Sequence, residues 1–248
     1  MSSSMAALGA PLAAAGPSVL WYLTRATGAV SLVLLTGALM LGVADVRRLS
    51  TANWPRFMID SLHRSVSLLA LVFLAVHILT SVLDSYASIS LVNAVVPFTG
   101  SYRPLWLGLG AVAFDLMLAV VITSLLRGRI GYRAWRAVHW FAYASWPLAL
   151  VHGLGTGSDV NGAWLLVLSV VCGLAVAAAV LSRVLSGSPA GATPRRLGLA
   201  ATAAFAIFLL AWLPVGPLGS EWARRAGTPS ALLGHSTTTT NTSDASTK

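Results

Sequence analysis

The chain has 248 residues, of which 56% are hydrophobic and only 9% charged, where a soluble domain carries roughly 25% charged residues. That excludes a water-soluble globule, and with about six apolar stretches using most of the length it leaves no room for a separate catalytic domain of the usual size, roughly 100 residues or more. The formal charge of +9 could suit nucleic acid, but the arginines cluster in the connections between apolar stretches, which assigns the charge to a lipid bilayer and not to nucleic acid.

Residues 1–18 are rich in Ala, Ser, Gly and Pro and carry no charge; without a basic n-region they are expected to be a short outer tail and not a signal peptide. The crossings are expected at 19–43, 62–83, 104–126, 134–153, 163–185 and 197–215. Unpaired backbone amides are not tolerated in lipid, and no stretch alternates like a barrel strand, so all six are predicted helices and the fold class is an all-α membrane protein. The connections between crossings one and two, three and four, and five and six hold eleven of the sixteen basic residues. The positive-inside rule then places those loops in the cytoplasm and both termini outside, in a multi-pass protein of the plasma (inner) membrane. Residues 19–185 form the expected five-helix core, and 186–218 an inner loop and extra sixth helix. Residues 219–248, polar and low in complexity, are an expected disordered outer tail. The lone Cys172 excludes an internal disulfide or CxxC site and reads as a packing residue.

The second crossing carries His63 and His77, the fourth His139 and His152, and no other crossing contains a histidine. Ionisable residues are costly in lipid, so two pairs on two helices of the same direction point to a site inside the bundle. His63 and His77 lie 14 residues apart, which returns to within about 40° of one face and climbs about 21 Å. Parallel helices then pair His63 with His139 at one depth and His77 with His152 at the other. Two imidazoles per level suit a six-coordinate haem iron, whereas zinc would need four ligands in one place. His139 and His152 are 13 apart, about 140° out of phase on an ideal helix, so the fourth crossing is expected to be distorted near Trp146 and Pro147.

With these residues in view, the chain resembles the ferric reductase-like transmembrane domain, the haem core shared by NADPH oxidases and ferric reductases. That family pairs H-x13-H with H-x12-H, the two spacings found here, over about residues 19–185. The resemblance implies two haem b groups held by His63, His139, His77 and His152, carrying electrons outward from the cytoplasmic side, with flavin available only through a partner protein. The oxidases and eukaryotic ferric reductases continue into flavin and nucleotide domains, whereas here a sixth apolar helix follows and no GxGxxG stands between a strand and a helix. A flavoprotein or other redox partner, or a membrane quinone, is therefore the expected donor.

Haem propionates need cationic partners, and the candidates by position are Arg64 and Arg136 beside the inner pair and Arg25 and Arg103 near the outer one. Trp146, between the two levels, is a candidate inter-haem aromatic, and Asp115 an intramembrane acid of relay or structural role. Trp21, Trp54, Trp106, Trp135 and Trp164 read as an interfacial belt. The loop PFTGSYRPLW is a candidate docking site for an acceptor. Two other functions fit the residues: the cytochrome b anchor subunit of a quinone-linked respiratory enzyme, and a haem-free transporter or assembly factor whose histidines move protons or metal.

Overall fold

The computed structural model describes residues 18–47, 55–157, 163–185 and 192–233, with backbone alone for 192–195. The expected tail 1–17, Trp54 and the sequence after 233, including His235, lie outside the described residues. Among those described, every regular element is a helix: α1 (Val19–Val46), α2 (Arg56–Leu83), α3 (Leu91–Val95), α4 (Pro104–Leu125), α5 (Arg127–Ile130), α6 (Tyr132–His139), α7 (Phe141–Thr156), α8 (Ala163–Leu185), α9 (Ala192–Val215), α10 (Trp222–Arg225) and α11 (Ser230–Leu233). Five are long and apolar enough to cross a membrane: α1, α2, α4, α8 and the 196–215 part of α9. The chain is a multi-pass membrane protein.

The fourth expected crossing is not one helix. It divides at Trp140 into α6 and α7, and the division follows the sequence. YRAWRAVH of α6 carries Arg133 and Arg136, both exposed, whereas FAYASWPLALVHGLGT of α7 has no charged residue other than its histidine. At the junction the Tyr143 N–H reaches back only three residues, to the Trp140 carbonyl. The expected distortion between the two histidines is thus present, but at Trp140 and not at Trp146 and Pro147. Pro147 sits inside α7, which runs through it as a helix. The change from an arginine-bearing to an uncharged stretch falls at this break, and the bond that Pro147 cannot make to the Tyr143 carbonyl does not interrupt α7.

α1 and α2 pack most extensively, α4 packs on α7, and α8 lies on α1 with α9 outside it. Small hydroxyl residues let α1 sit close to its neighbours: Thr27, Ser31 and Thr36 are buried, and each donates to a carbonyl four residues earlier, which satisfies the hydroxyl without a partner helix. The core joins α1, α7 and α8 through Leu32, Trp146, Leu150, Leu154, Val176 and Cys172, which is a packing residue as expected.

The stretch 219–233, expected as the start of a disordered tail, is folded. Trp222 packs against Trp106 and Trp212, with ring centres 5.1 and 5.9 Å apart, and its indole N–H donates to the Gly155 carbonyl. Aromatic anchors within a polar stretch explain why composition alone misreads it. Arg103 ties the same region together. It is 4% exposed, in a left-handed conformation (φ 41°) at the start of α4, and donates to Thr228 Oγ1 at 2.9 Å and to the carbonyl of Gly155 at 3.0 Å. Replacing it with leucine removes the donor to the half-buried Thr228 hydroxyl and one of the two donors on the Gly155 carbonyl, which keeps the Trp222 indole N–H. Each lost bond contributes about 0.5–1.5 kcal/mol, with somewhat more expected from a charged donor. We expect Arg103→Leu to lower the midpoint of thermal unfolding in detergent, followed by tryptophan fluorescence, and an unchanged midpoint would contradict the clamp.

Candidate haem-binding site

The four histidines come together as two facing pairs. His63 meets His139 with ring centres 6.4 Å apart and planes crossed at 72°, and His77 meets His152 at 6.3 Å and 82°. The first pair lies toward the arginine-rich connections and is called proximal here; the second is distal. The bend at Trp140 reconciles the 13-residue spacing of His139 and His152, since both rings face α2 although a straight helix would turn one away.

Three of the four rings are fixed by one repeated device. His77 Nδ1–H donates to the Thr24 carbonyl at 2.8 Å, His63 Nδ1–H to Ala38 at 2.9 Å, and His152 Nδ1–H to Trp106 at 2.9 Å. A carbonyl cannot donate, so in each ring Nδ1 carries the hydrogen and Nε2 is left with its lone pair, the tautomer a metal requires. Four residues after each accepting carbonyl stands a glycine: Gly28, Gly42 and Gly110. A helical carbonyl is overlain by the side chain one turn on, and glycine leaves its second lone pair open to a lateral donor. The fit is close, because a Cβ at Gly110, Gly28 or Gly42 would come within 2.4, 3.0 or 3.3 Å of the respective imidazole. On α1 the two glycines are 14 residues apart, matching His63 and His77 on antiparallel α2.

The proximal ring His139 differs. Its Nδ1 is, among the described residues, the one buried side-chain nitrogen or oxygen without a hydrogen-bond partner. Its face stacks on Trp135 at 4.8 Å and 30°. Sequence alone made Trp135 a belt residue; no composition signal distinguishes the two roles.

α2 packs chiefly along α1 and α7 along α4, and the two distal rings border open space. Two cavities share His77 and His152 in their walls, one opening toward α3 and α4 past Phe114 and Met117, the other toward α1 and α8 past Leu32 and Ser169. A planar group standing across the axis between the two rings would extend into both. Two imidazoles bound to one metal through Nε2, with bonds of about 2 Å and ring centres about 1 Å beyond, stand about 6 Å apart, so the residues present fit a bis-imidazole iron at each level. Among the described residues no group of three or more His, Cys, Asp or Glu gathers to hold a bare metal ion.

Of the other residues singled out, Arg25 lies over the Trp21 ring at 4.3 Å and lines the distal cavity, with Asp84, Tyr86 and Tyr102 of the segment that caps it. Arg64 is exposed and pairs with Asp60 at 3.3 Å, and Arg136 is exposed on α6. Arg103, expected beside the distal pair, has its guanidinium committed to Gly155 and Thr228. Trp146 is buried, donates to Thr36 Oγ1 at 2.9 Å, and borders the separate apolar cavity between α7, α8 and α9. Asp115 is half-buried midway along α4 and lines neither distal cavity. In the loop expected to dock an acceptor, Tyr102 and Arg103 are buried, while Phe98, half exposed, lies against Gly108.

Fold and site together define an all-helical membrane protein with imidazoles paired at two depths. The sequence pattern of the ferric reductase like transmembrane component matches residues 27–150, half of the chain, and the chain belongs to that family. The match takes in His63, His77 and His139 and ends two residues before His152. No curated protein and no solved structure matches.

Proposed function

We propose that the chain moves electrons across the membrane through two haem b groups, which His63 and His139 would hold at the proximal level and His77 and His152 at the distal level. The observation that carries this is the two pairs of facing imidazoles at 6.4 and 6.3 Å, three of the rings with Nδ1 on a carbonyl and Nε2 left with its lone pair. Haem, when bound, supplies a reversible one-electron couple. The chain supplies the rest. Its glycines seat the rings, its apolar walls exclude water, and Arg25 provides a cation for a carboxylate at the distal level.

The exposed arginines Arg56, Arg64, Arg129, Arg133 and Arg136 gather at the proximal end, which by the positive-inside rule is cytoplasmic, with both termini outside. Membership of the family supports a redox partner, and we assign the donor to a flavoprotein or quinol on that side and the acceptor to the outer side. Arg64 and Arg136 are the cations available to a carboxylate at the proximal level. The pyridine haemochrome of the purified chain, expressed with haem in supply, tests the reading: two protohaems per chain are expected, and a colourless, folded preparation would overturn it.

A further inference from the structure

The carbonyl-and-glycine device repeats on a 14-residue period. On α1 it occurs as Thr24 with Gly28 and again as Ala38 with Gly42; on α4 it occurs as Trp106 with Gly110. Fourteen residues further along α4 stand Val120 and Ser124, the places where a seat for His139 belongs. Here the glycine is a serine, and its hydroxyl donates to the Val120 carbonyl at 2.6 Å, from the position that glycine leaves clear at the other three sites; the longer Thr123 contact to the same carbonyl, 3.2 Å, has its counterpart in Thr27 on the Thr24 carbonyl, where His77 still docks. His139 Nδ1 accordingly has no partner. The same Ser124 Oγ accepts the indole N–H of Trp135 at 3.1 Å, and Trp135 stacks on His139. On its other contacts Trp135 carries the Arg127 guanidinium, 4.5 Å from the ring centre.

We infer that Trp135, held by Ser124, is the positioning residue of the proximal site: it fixes the plane of the His139 ring by stacking, in place of the backbone hydrogen bond that fixes the other three. This rests on the two-haem reading and deepens it. A ligating imidazole that donates its second N–H to a carbonyl is the more basic ligand and favours ferric iron. His139 lacks that bond, so the proximal site has one strong and one weaker ligand, and the distal site two strong ones. Replacing Ser124 with glycine uncovers the fourth carbonyl and offers His139 the missing acceptor.

The test uses the full chain with its haems, read by redox titration of the optical bands and by the electron paramagnetic resonance of the ferric haems, whose anisotropy reports the angle between axial rings. Trp135→Leu should shift the resonance of one haem, or turn it high-spin, and leave the other untouched; Trp135→Phe, which keeps an aromatic face, should restore the wild-type signal. Ser124→Gly should lower the midpoint potential of that same haem. A Trp135→Leu protein with both resonances unchanged would overturn the inference. If that variant does not accumulate, Ser124→Gly decides alone, and an unmoved potential counts against it. Absence of haem from the wild-type chain would instead defeat the two-haem reading itself.

Discussion

His152→Ala is expected to remove one haem of the two and leave a protein that still inserts and still holds the other. His77→Ala should give the same product, since the two rings serve one level, and His63→Ala or His139→Ala should give the complementary one. The argument is one of distance. Fourteen residues of helix separate His63 from His77, about 21 Å along the axis, so the carbonyl seats, the glycines and the cavity walls of one level are not those of the other. The single variants should therefore halve the haemochrome signal, and the two products should differ in their reduced spectra and potentials. Adding free imidazole to His152→Gly should recover a low-spin distal haem, because cavities already border that ring on both sides. A single substitution that empties both levels would show that the sites are built cooperatively and that pairing by depth is too simple.

The pairing itself was legible in the sequence because histidines are conspicuous among apolar residues and helical rise converts spacing directly into depth. What holds the pairs was less legible. Gly28, Gly42 and Gly110 each look like any small residue in a membrane helix, and their meaning appears only when the antiparallel register places each opposite a ring. The 14-residue separation of Gly28 from Gly42, equal to that of His63 from His77, was the available signal. The break in the fourth crossing was hidden for a related reason: the apolar residues continue from α6 into α7, and the change from an arginine-bearing to an uncharged stretch at Trp140 does not interrupt them. Arg103 shows the limit of argument by nearness: it lies at the depth of the distal pair, yet its guanidinium serves carbonyls of the chain, a choice fixed by the folded segment around Thr228 that polar composition did not announce.

The glycine seats make a graded prediction that no general account of membrane packing would give. Alanine is the better helix former by about 1 kcal/mol, so a Gly→Ala change that meets open space should be neutral or stabilising. Gly173 on α8, away from the histidine cavities, is such a place, with nothing within 4 Å of an added Cβ. At Gly110 the same methyl would lie 2.4 Å from His152 Nδ1, an approach that real side chains do not make. The ring must move, and the hydrogen bond to the Trp106 carbonyl must lengthen or break. At Gly28 the methyl would lie 3.0 Å from His77, and at Gly42 3.3 Å from His63, the last a distance that a few tenths of an ångström of movement relieves. Gly110→Ala should therefore lose the distal haem or turn it high-spin, Gly28→Ala should perturb the same haem less, and Gly42→Ala should shift only the proximal haem and only slightly. Gly173→Ala should match wild type. Haem content and the optical spectrum of the four purified variants measure the series. Equal effects at Gly110, Gly42 and Gly173 would mean that these glycines serve helix packing in general and that the histidines are held in some other way.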